Sequence, residues 1–447
     1  MTQLNRRGFL SCSATVALPL LLPAAVLGLD GQVSPSNKLT MGGIGLGPRG
    51  RSDLGCFLAE DDVHFVAIAD CQRSRRNKIK EIVDGKYKNT DCVTYRDMYE
   101  VLDRKDIDIV LIATGDRWHT MASIEAAKAV KDIYCEKPCS LTIEESLSLA
   151  DTINRYGRVY QAGTQRRSSG HFMAAIRMAQ SGRLGKLTAV HANTLAPATR
   201  HTWNPAQPEP DPEECDWNRW LGACPWRPFN QAYVNGGWRG HYDFHGGGIL
   251  EWGSHTIDLC QLAHQSDDTV PVKYEPIIKG LGDSYRNGVN WGDFIKLDDG
   301  GVVATYSDGV KLVMRSTGWL GLGTCSVRFE GTEGWVETGD SGRMMTSSEK
   351  LPTSYKRLGG DTNLHVRNFL DCVKTRQTTR AHAKAAAQSH IASHAAYIAW
   401  QLGRALQYDP VKNEFLNDEE ANRMRSVVNH GIFDCRRFSF VFLTSIL

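Results

Sequence analysis

The sequence predicts an α/β protein: an N-terminal doubly wound Rossmann domain, then an α+β domain on a large, mainly antiparallel open sheet. Three observations predict this. An apolar run beginning at Lys38 passes directly into a glycine fingerprint, Gly45-Leu-Gly-Pro-Arg-Gly50. Strand-like and helix-like stretches then alternate as far as Gly163. From Lys186 the rhythm changes to short strands of alternating apolar residues, separated by turns such as Asp298-Asp-Gly-Gly301 and Glu330-Gly-Thr-Glu-Gly334. The 447 residues also exceed what one ordinary core serves.

In the fingerprint, Gly45 permits a tight turn, Gly47 lets the backbone approach a pyrophosphate, and Gly50 lets the next helix sit close to the strand. That helix is expected over residues 52–60, with Leu54, Phe57 and Leu58 on one face and free N-terminal amides for phosphate. Residues 63–70 form an apolar strand ending in Asp70, placed to accept ribose hydroxyls and so to favour NAD. Arg73, Arg75 and Arg76 could instead clamp the 2′-phosphate of NADP, or simply begin a solvated helix. A short helix over 94–102, a buried strand over 106–114, a helix over 118–130 and a strand over 133–136 follow. Thr142 caps a helix over 143–156 with Glu145 at its third position, and a strand over 159–163 closes the half. Ligands of such a sheet sit at the carboxyl ends of strands, where Thr114, Trp118, His119 and Glu136-Lys137-Pro138 fall.

In the second half, strands are expected over 187–193, 291–297, 302–307, 325–330 and 334–337. Helix returns over 363–406, with Phe369, Leu370 and Val373 on one face. An open sheet with an exposed apolar face is a liability, so a homodimer or homotetramer through this sheet is expected. The domain boundaries are then 1–36 for a leader and linker, 37–162 for the dinucleotide domain, 163–362 for the substrate and oligomerisation domain, 363–425 for C-terminal helices and 426–447 for a tail without an assigned role.

The leader carries Asn5-Arg6-Arg7-Gly8-Phe9-Leu10, a twin-arginine pattern, before an apolar stretch over 18–29 too short for a permanent span. Export to the periplasm is the expected outcome, and a route for folded proteins suits a cofactor picked up in the cytoplasm. With 41% hydrophobic and 23% charged residues and a net charge of +2, the remainder reads as a globular protein with no nucleic-acid partner and no stable membrane span. The twelve cysteines show no CxxC spacing. Cys135 and Cys139, flanking Glu-Lys-Pro, read as small buried hydrophobes, and no metal site is expected.

Residues 246–258 read as a glycine turn leading into a helix, with Glu251 and His255 four apart on one face. Removal of hydride from a secondary alcohol needs a base for the hydroxyl proton. His255 would take it, Lys137 would hold the same oxygen and stabilise its charge, and Glu251 would orient the substrate or raise the histidine pKa. A hydrated helix face with His255 satisfied in the core accounts equally for the spacing. The long loop over 196–238 holds Trp203, Trp217, Trp220, Trp226, Phe229, Tyr233 and Trp238. Most of these rings would pin the loop. Trp203 and Trp238 are candidates to stack on a sugar, beside Arg200, Arg219, Arg227 and Arg239.

The fingerprint, Glu136-Lys137-Pro138, Gly163-Thr-Gln165 and Gly247-Gly-Ile-Leu-Glu-Trp-Gly-Ser-His255-Thr-Ile-Asp258 together resemble the Gfo/Idh/MocA oxidoreductases, from about Leu39 to Arg425, and an exported bacterial subgroup of them. The resemblance implies a nicotinamide cofactor, NAD with NADP possible, and substrate and nicotinamide contacts at Lys137 and His255. The candidate cofactor contacts are Gly45, Gly47, Pro48, Arg49, Gly50, Asp70, Arg75, Thr114, Trp118, His119, Glu136, Lys137 and Gln165. The candidate substrate contacts are Lys137, Arg166, Trp203, Trp238, Arg239, Glu251 and His255, with Lys137, His255 and Glu251 catalytic. Two departures stand out: Glu251 replaces the commoner aspartate, and Thr114-Gly-Asp-Arg-Trp-His119 places Arg117 where the family often has a first histidine. The expected function is an NAD(P)-dependent oxidoreductase acting on a secondary alcohol of a sugar, cyclitol or glycoside with a captive cofactor. A glycosidase working by transient oxidation and elimination is the alternative, and a non-catalytic sugar or dinucleotide sensor a third reading.

Overall fold

The computed structural model describes residues 37–194, 202–277, 301–316, 320–355 and 361–427. The leader, the strand expected over 291–297, Arg200 and most of the tail lie outside them. The first domain runs β1 (Leu39–Ile44), α1 (Pro48–Phe57), β2 (Val63–Ala69), α2 (Arg73–Tyr87), β3 (Val93–Tyr95), α3 (Met98–Leu102), β4 (Ile109–Ile112), α4 (Asp116–Lys128), β5 (Asp132–Cys135), α5 (Ile143–Arg155) and β6 (Tyr160–Ala162). Its six strands pair in parallel in the order β3-β2-β1-β4-β5-β6. Every residue of β4, β5 and β6 is buried, as continuous apolar strands covered on both faces must be.

Local chemistry moves several boundaries. Helix α1 starts at Pro48, not at residue 52, because the fixed φ of proline suits a first turn that follows an extended Gly47. The stretch 94–102 divides into β3 and α3, since Asp97 stops the strand and caps the helix in a capping box with Glu100. Helix α4 starts at Asp116 rather than at 118. Helix α5 begins as expected, with Thr142 Oγ1 accepting from the Glu145 amide at 3.1 Å.

The second domain contains α6 (Gly170–Gln180), β7 (Leu187–Thr194), α7 (Trp217–Leu221), α8 (Gly248–Glu251), α9 (Gly253–His264), β8 (Lys273–Ile277), β9 (Gly301–Thr305), β10 (Lys311–Ser316), β11 (Val327–Gly331), β12 (Gly334–Thr338) and β13 (Met344–Thr346). After α10 (Asp361–Thr375) and α11 (Ala383–Leu402), β14 (Leu406–Asp409), β15 (Glu414–Phe415) and α12 (Glu419–Arg423) end the described chain. The sheet order is β13-β12-β11-β7-β10-β9-β8-β14-β15. It is mixed, because β7 and β10 run parallel while its other pairs are antiparallel. One face packs Val302, Leu312 and Phe329 against Ile257 and Leu259 of α9 and Ile391 of α11.

The helical stretch expected over 363–406 divides into α10 and α11. Arg376 adopts a left-handed φ of 58° just past α10, ending it. Phe369 of α10 meets Phe57 of α1 and Tyr134 of β5 edge-on, at 6.2 and 5.9 Å, so this helix packs on the first domain. Helix α11 serves both cores: Ala386 belongs to that of the parallel sheet, and Ile391 to Trp400 to that of the mixed sheet. None of the described helices is long and apolar enough to cross a membrane.

Candidate active site and dinucleotide cleft

The carboxyl ends of β1, β2 and β4 open onto a cleft bordered by Gly45, Asp70, Arg75, Thr114 and Trp118. Gly45 sits at φ +66°, and a Cβ there would lie 2.3 Å from Thr114 Cγ2. Only glycine fits. A Cβ on Gly50 would press within 2.9 Å of Ala113, so the helix lies against β4 as the fingerprint requires. Asp70 is buried, which pushes its carboxyl up, and its Oδ1 accepts from the Gln72 amide at 2.9 Å. Arg75 reaches across Gly47 and donates to the Val234 carbonyl at 2.8 Å. Arg73 pairs with Glu214 at 2.7 Å, and Arg76 donates to the carbonyls of Asp70 and Glu213. The residues present fit a dinucleotide: a tight glycine turn at a helix N-terminus, with a buried carboxylate at the next strand end.

Pro48 is the first residue of α1, and Arg49 points inward. Its Nε donates to Glu136 Oε1 at 3.0 Å and its Nη2 lies 2.6 Å from Asp53. Glu136 Oε2 in turn accepts from the Lys137 amide at 3.2 Å. Two buried carboxyls thus share one guanidinium, and burial together with the Glu136 charge raises Asp53 to about 9. The cluster fixes the backbone from which Lys137 projects. The expected buried-hydrophobe character of Cys135 and Cys139 is matched by full burial, which lifts the Cys135 thiol to about 12.

Lys137 crosses to the second domain, where its Nζ donates to the Glu251 carbonyl at 3.1 Å. The glycine-led helix breaks at Trp252 into α8 and α9. The Glu251 side chain accepts from His245 Nε2 at 3.0 Å and lies 3.5 Å from Arg239. Burial would raise this carboxyl, but the His245 hydrogen bond and the charges of Lys137 and Arg239 hold it at about 2. His245 Nδ1 accepts from the amides of Gly240 and Gly247, so its proton belongs on Nε2. Asp116 Oδ2 stands 3.8 Å from that Nε2.

The expectation that Glu251 raises the pKa of His255 is corrected. His255 is buried and its pKa falls well below the usual histidine value, through burial first and then the charges of Arg166, Lys137 and Arg49. The carboxylate bonds to His245, not to His255. His255 is therefore a neutral imidazole, and its Nδ1 is buried without a hydrogen-bond partner among the described residues. A neutral ring with a vacant nitrogen is a competent proton acceptor.

The other candidates divide. Gln165 and Arg166 border a neighbouring cavity with Asp340, and Arg166 pairs with Asp340 at 2.8 Å. His119 faces away from the cleft, its Nδ1 2.6 Å from the Pro138 carbonyl oxygen, because the fourth position of α4 points at the β5 end. Trp118 lines the cleft but gives its indole N–H to the Arg219 carbonyl at 3.0 Å. Arg117 stacks 3.5 Å over Trp220; burial lowers it to about 10, and it braces the long loop. Trp217 and Trp220 stack at 4.8 Å with Phe229 and Tyr233 around them, which pins that loop. Trp203 is 52% exposed and its ring lies 5.5 Å from the Arg227 guanidinium. Trp238 packs on His245 at 5.4 Å, so it backs the site through that residue. Arg167 and Asp258 form a buried bidentate pair extended by Asp267 and Ser389, tying α9 to α11.

Sequence reasoning missed His245, Asp116 and Asp53. His245 stands just before the glycine turn, outside the four-residue spacing used for Glu251 and His255. Asp116 lies within the departure at 114–119, and that departure was the available signal. Asp53 is an acid among the inward positions of α1, legible only once α1 starts at Pro48.

Comparisons with known proteins bear on the family and the fold. The oxidoreductase-family NAD-binding Rossmann fold matches residues 39–164, and the family's C-terminal alpha/beta domain matches 197–434. An alpha-N-acetylgalactosaminidase from Shewanella oneidensis is 29% identical over 174 residues, which cover 35% of this chain and 38% of that protein. The chain thus spans about two-fifths of the length of such curated relatives. Among solved structures, aldose-aldose oxidoreductase from Caulobacter crescentus, complexed with glycerol, superposes with a TM-score of 0.60 at 18% identity, over 83% of this chain and 99% of that one. The WlbA dehydrogenase from Chromobactrium violaceum, in complex with NADH and UDP-GlcNAcA, gives 0.60 at 17% identity over 85% and 98%. These structures share the fold, and the two domain matches carry the assignment: the chain belongs to the Gfo/Idh/MocA oxidoreductase family, with an NAD-binding Rossmann domain and its C-terminal partner.

Proposed function

We propose that the protein transfers a hydride between a tightly held NAD and a secondary alcohol of a sugar, cyclitol or glycoside. The observation that carries this reading is the meeting of Lys137, from the end of β5, with Glu251 and the neutral His255 of the second domain. When bound, the nicotinamide supplies the hydride acceptor. His255 accepts the hydroxyl proton as the carbonyl forms. Lys137 Nζ, anchored by the Glu251 carbonyl, donates to the same oxygen and stabilises its developing charge. The ionised Glu251 side chain, fixed by His245 and Arg239, orients neighbouring hydroxyls. Export through residues 1–36 fits a cofactor held through many turnovers, and association through the mixed sheet would cover its open face.

A second reading has its own support, the similarity to an alpha-N-acetylgalactosaminidase over 174 residues. Transient oxidation of a glycoside acidifies the neighbouring C–H and permits loss of the aglycone; water then adds to the double bond left behind, and return of the hydride gives the free sugar. The same three residues serve both. Purified protein is incubated separately with free sugars and with aryl glycosides. Net formation of a keto sugar supports the first reading, and released aglycone with unchanged cofactor supports the second. A Lys137→Ala variant with full activity in both assays sinks both.

A further inference from the structure

We propose that an acidic strap of the C-terminal domain, residues 213–216, completes the adenosine end of the cleft and selects NAD against NADP. It does so by occupying the arginines that would receive a 2′-phosphate. The inference deepens the reading above and rests on dinucleotide binding there.

The loop after β2 carries the ribose-facing Asp70 and then Arg73, Arg75 and Arg76. The strap runs antiparallel to this loop. Gln72 bridges to Cys215, the Asp216 amide donates to the Cys71 carbonyl at 3.0 Å, and the Arg73 amide donates to the Glu214 carbonyl at 2.9 Å. Side chains complete the seal. Glu213 Oε1 takes Arg96 at 2.6 Å, and its Oε2 lies 3.8 Å from Arg76. Glu214 takes Arg73 at 2.7 Å. Arg219, at the strap's end, pairs with both Asp216 and Asp97. Arg96, Arg219 and Trp220 border the cleft together with Asp70 and Arg75. The cofactor's adenosine end is therefore walled by the second domain, outside the residues 39–164 that match the family's NAD-binding fold.

A 2′-phosphate brings two negative charges to this edge. A site that accepts it offers uncommitted guanidinium groups. Here Arg73, Arg76 and Arg96 are each bound to strap carboxylates or carbonyls, and Arg75 donates to Val234. The phosphate would have to displace Glu213 or Glu214 and stand beside them and Asp70. The neutral 2′-hydroxyl of NAD meets none of this repulsion.

The test uses the purified full chain, incubated with equal NAD and NADP, desalted and denatured, with the released dinucleotides weighed by mass spectrometry. Wild type is expected to release mainly NAD. The Glu213→Gln/Glu214→Gln variant keeps the backbone bonds and alters two side chains that are 56% and 57% exposed, so folding is spared. Its NADP-to-NAD ratio is expected to rise about tenfold or more, the worth of one charge-assisted hydrogen bond to phosphate. Adding Arg73→Gln and Arg96→Gln, which removes both guanidinium groups released by the two glutamines, should cancel the gain. A ratio unchanged in the double variant, or a gain that survives removal of both arginines, overturns the selection. Loss of total dinucleotide at constant ratio also overturns it and reduces the strap to a structural clamp. A wild type that retains neither dinucleotide overturns the proposed function together with this inference.

Discussion

Glu251→Gln separates charge from shape at the centre of the site. Glutamine stands in for the protonated acid and can still accept from His245 Nε2. The carboxyl is displaced from 4.5 to about 2, so its charged form is favoured in the fold by about 3 kcal/mol over the neutral one. The variant should lose about that much unfolding free energy at pH 7. The sign is fixed by the direction of the shift. A depressed carboxyl stabilises above 4.5, and its contribution disappears as pH falls from 4.5 through 2. Urea unfolding of both proteins should show a gap at pH 7 that narrows at pH 3. The catalytic counterpart is a fall of about a hundredfold in kcat/KM, if the same charge acts on the transition state. Affinity for NAD should hold, because Glu251 lies in the second domain and Lys137 binds its backbone carbonyl. A loss below about 1 kcal/mol at pH 7, or one equal at pH 7 and pH 3, refutes the reasoning. So does a parallel loss of NAD affinity.

Four further outcomes follow from the same geometry. His255 stays neutral until well below the usual histidine pKa, so kcat/KM should be flat from pH 8 down through 6.5; an acid limb centred at 6.5 would argue for a different base. Gly45→Ala puts a Cβ 2.3 Å from Thr114 Cγ2 at φ +66°, which should cost about 1–3 kcal/mol of stability and abolish dinucleotide retention; retained NAD would refute the turn's role. Asp258→Ala strands the buried Arg167 and should cost about 3–5 kcal/mol by urea melt, whereas a loss under 1 kcal/mol would show Asp267 alone suffices. Buried His365 and His390 are held at about 4 by desolvation. The unfolded chain takes up protons near 6.5 that the fold refuses until about 4, so stability falls as pH drops across that window, by about 3 kcal/mol for each by pH 4. A urea midpoint constant from pH 7 to 4 would contradict this.

The sequence by itself determined the parallel sheet, because fully buried apolar strands and a glycine fingerprint are local signals. Gly45 before α1 and Thr142 before α5 needed only their neighbours. It also named Lys137, Glu251 and His255, whose motifs lie in short contiguous stretches. Only the tertiary structure decided what these groups do to one another. His245 became the partner of Glu251 because the glycine turn folds it back across α8, and turn geometry is not encoded in residue spacing. His255 turned out neutral because burial and three cations drawn from separate segments outweigh any nearby carboxylate. The strap reached Asp70 across about 140 residues of chain, a contact that pays its loop-closure entropy through ion pairs and backbone bonds no local pattern announces. Hydrophobic period and turn chemistry act between near neighbours, whereas a pKa or a cleft wall sums charges and surfaces from wherever the chain returns.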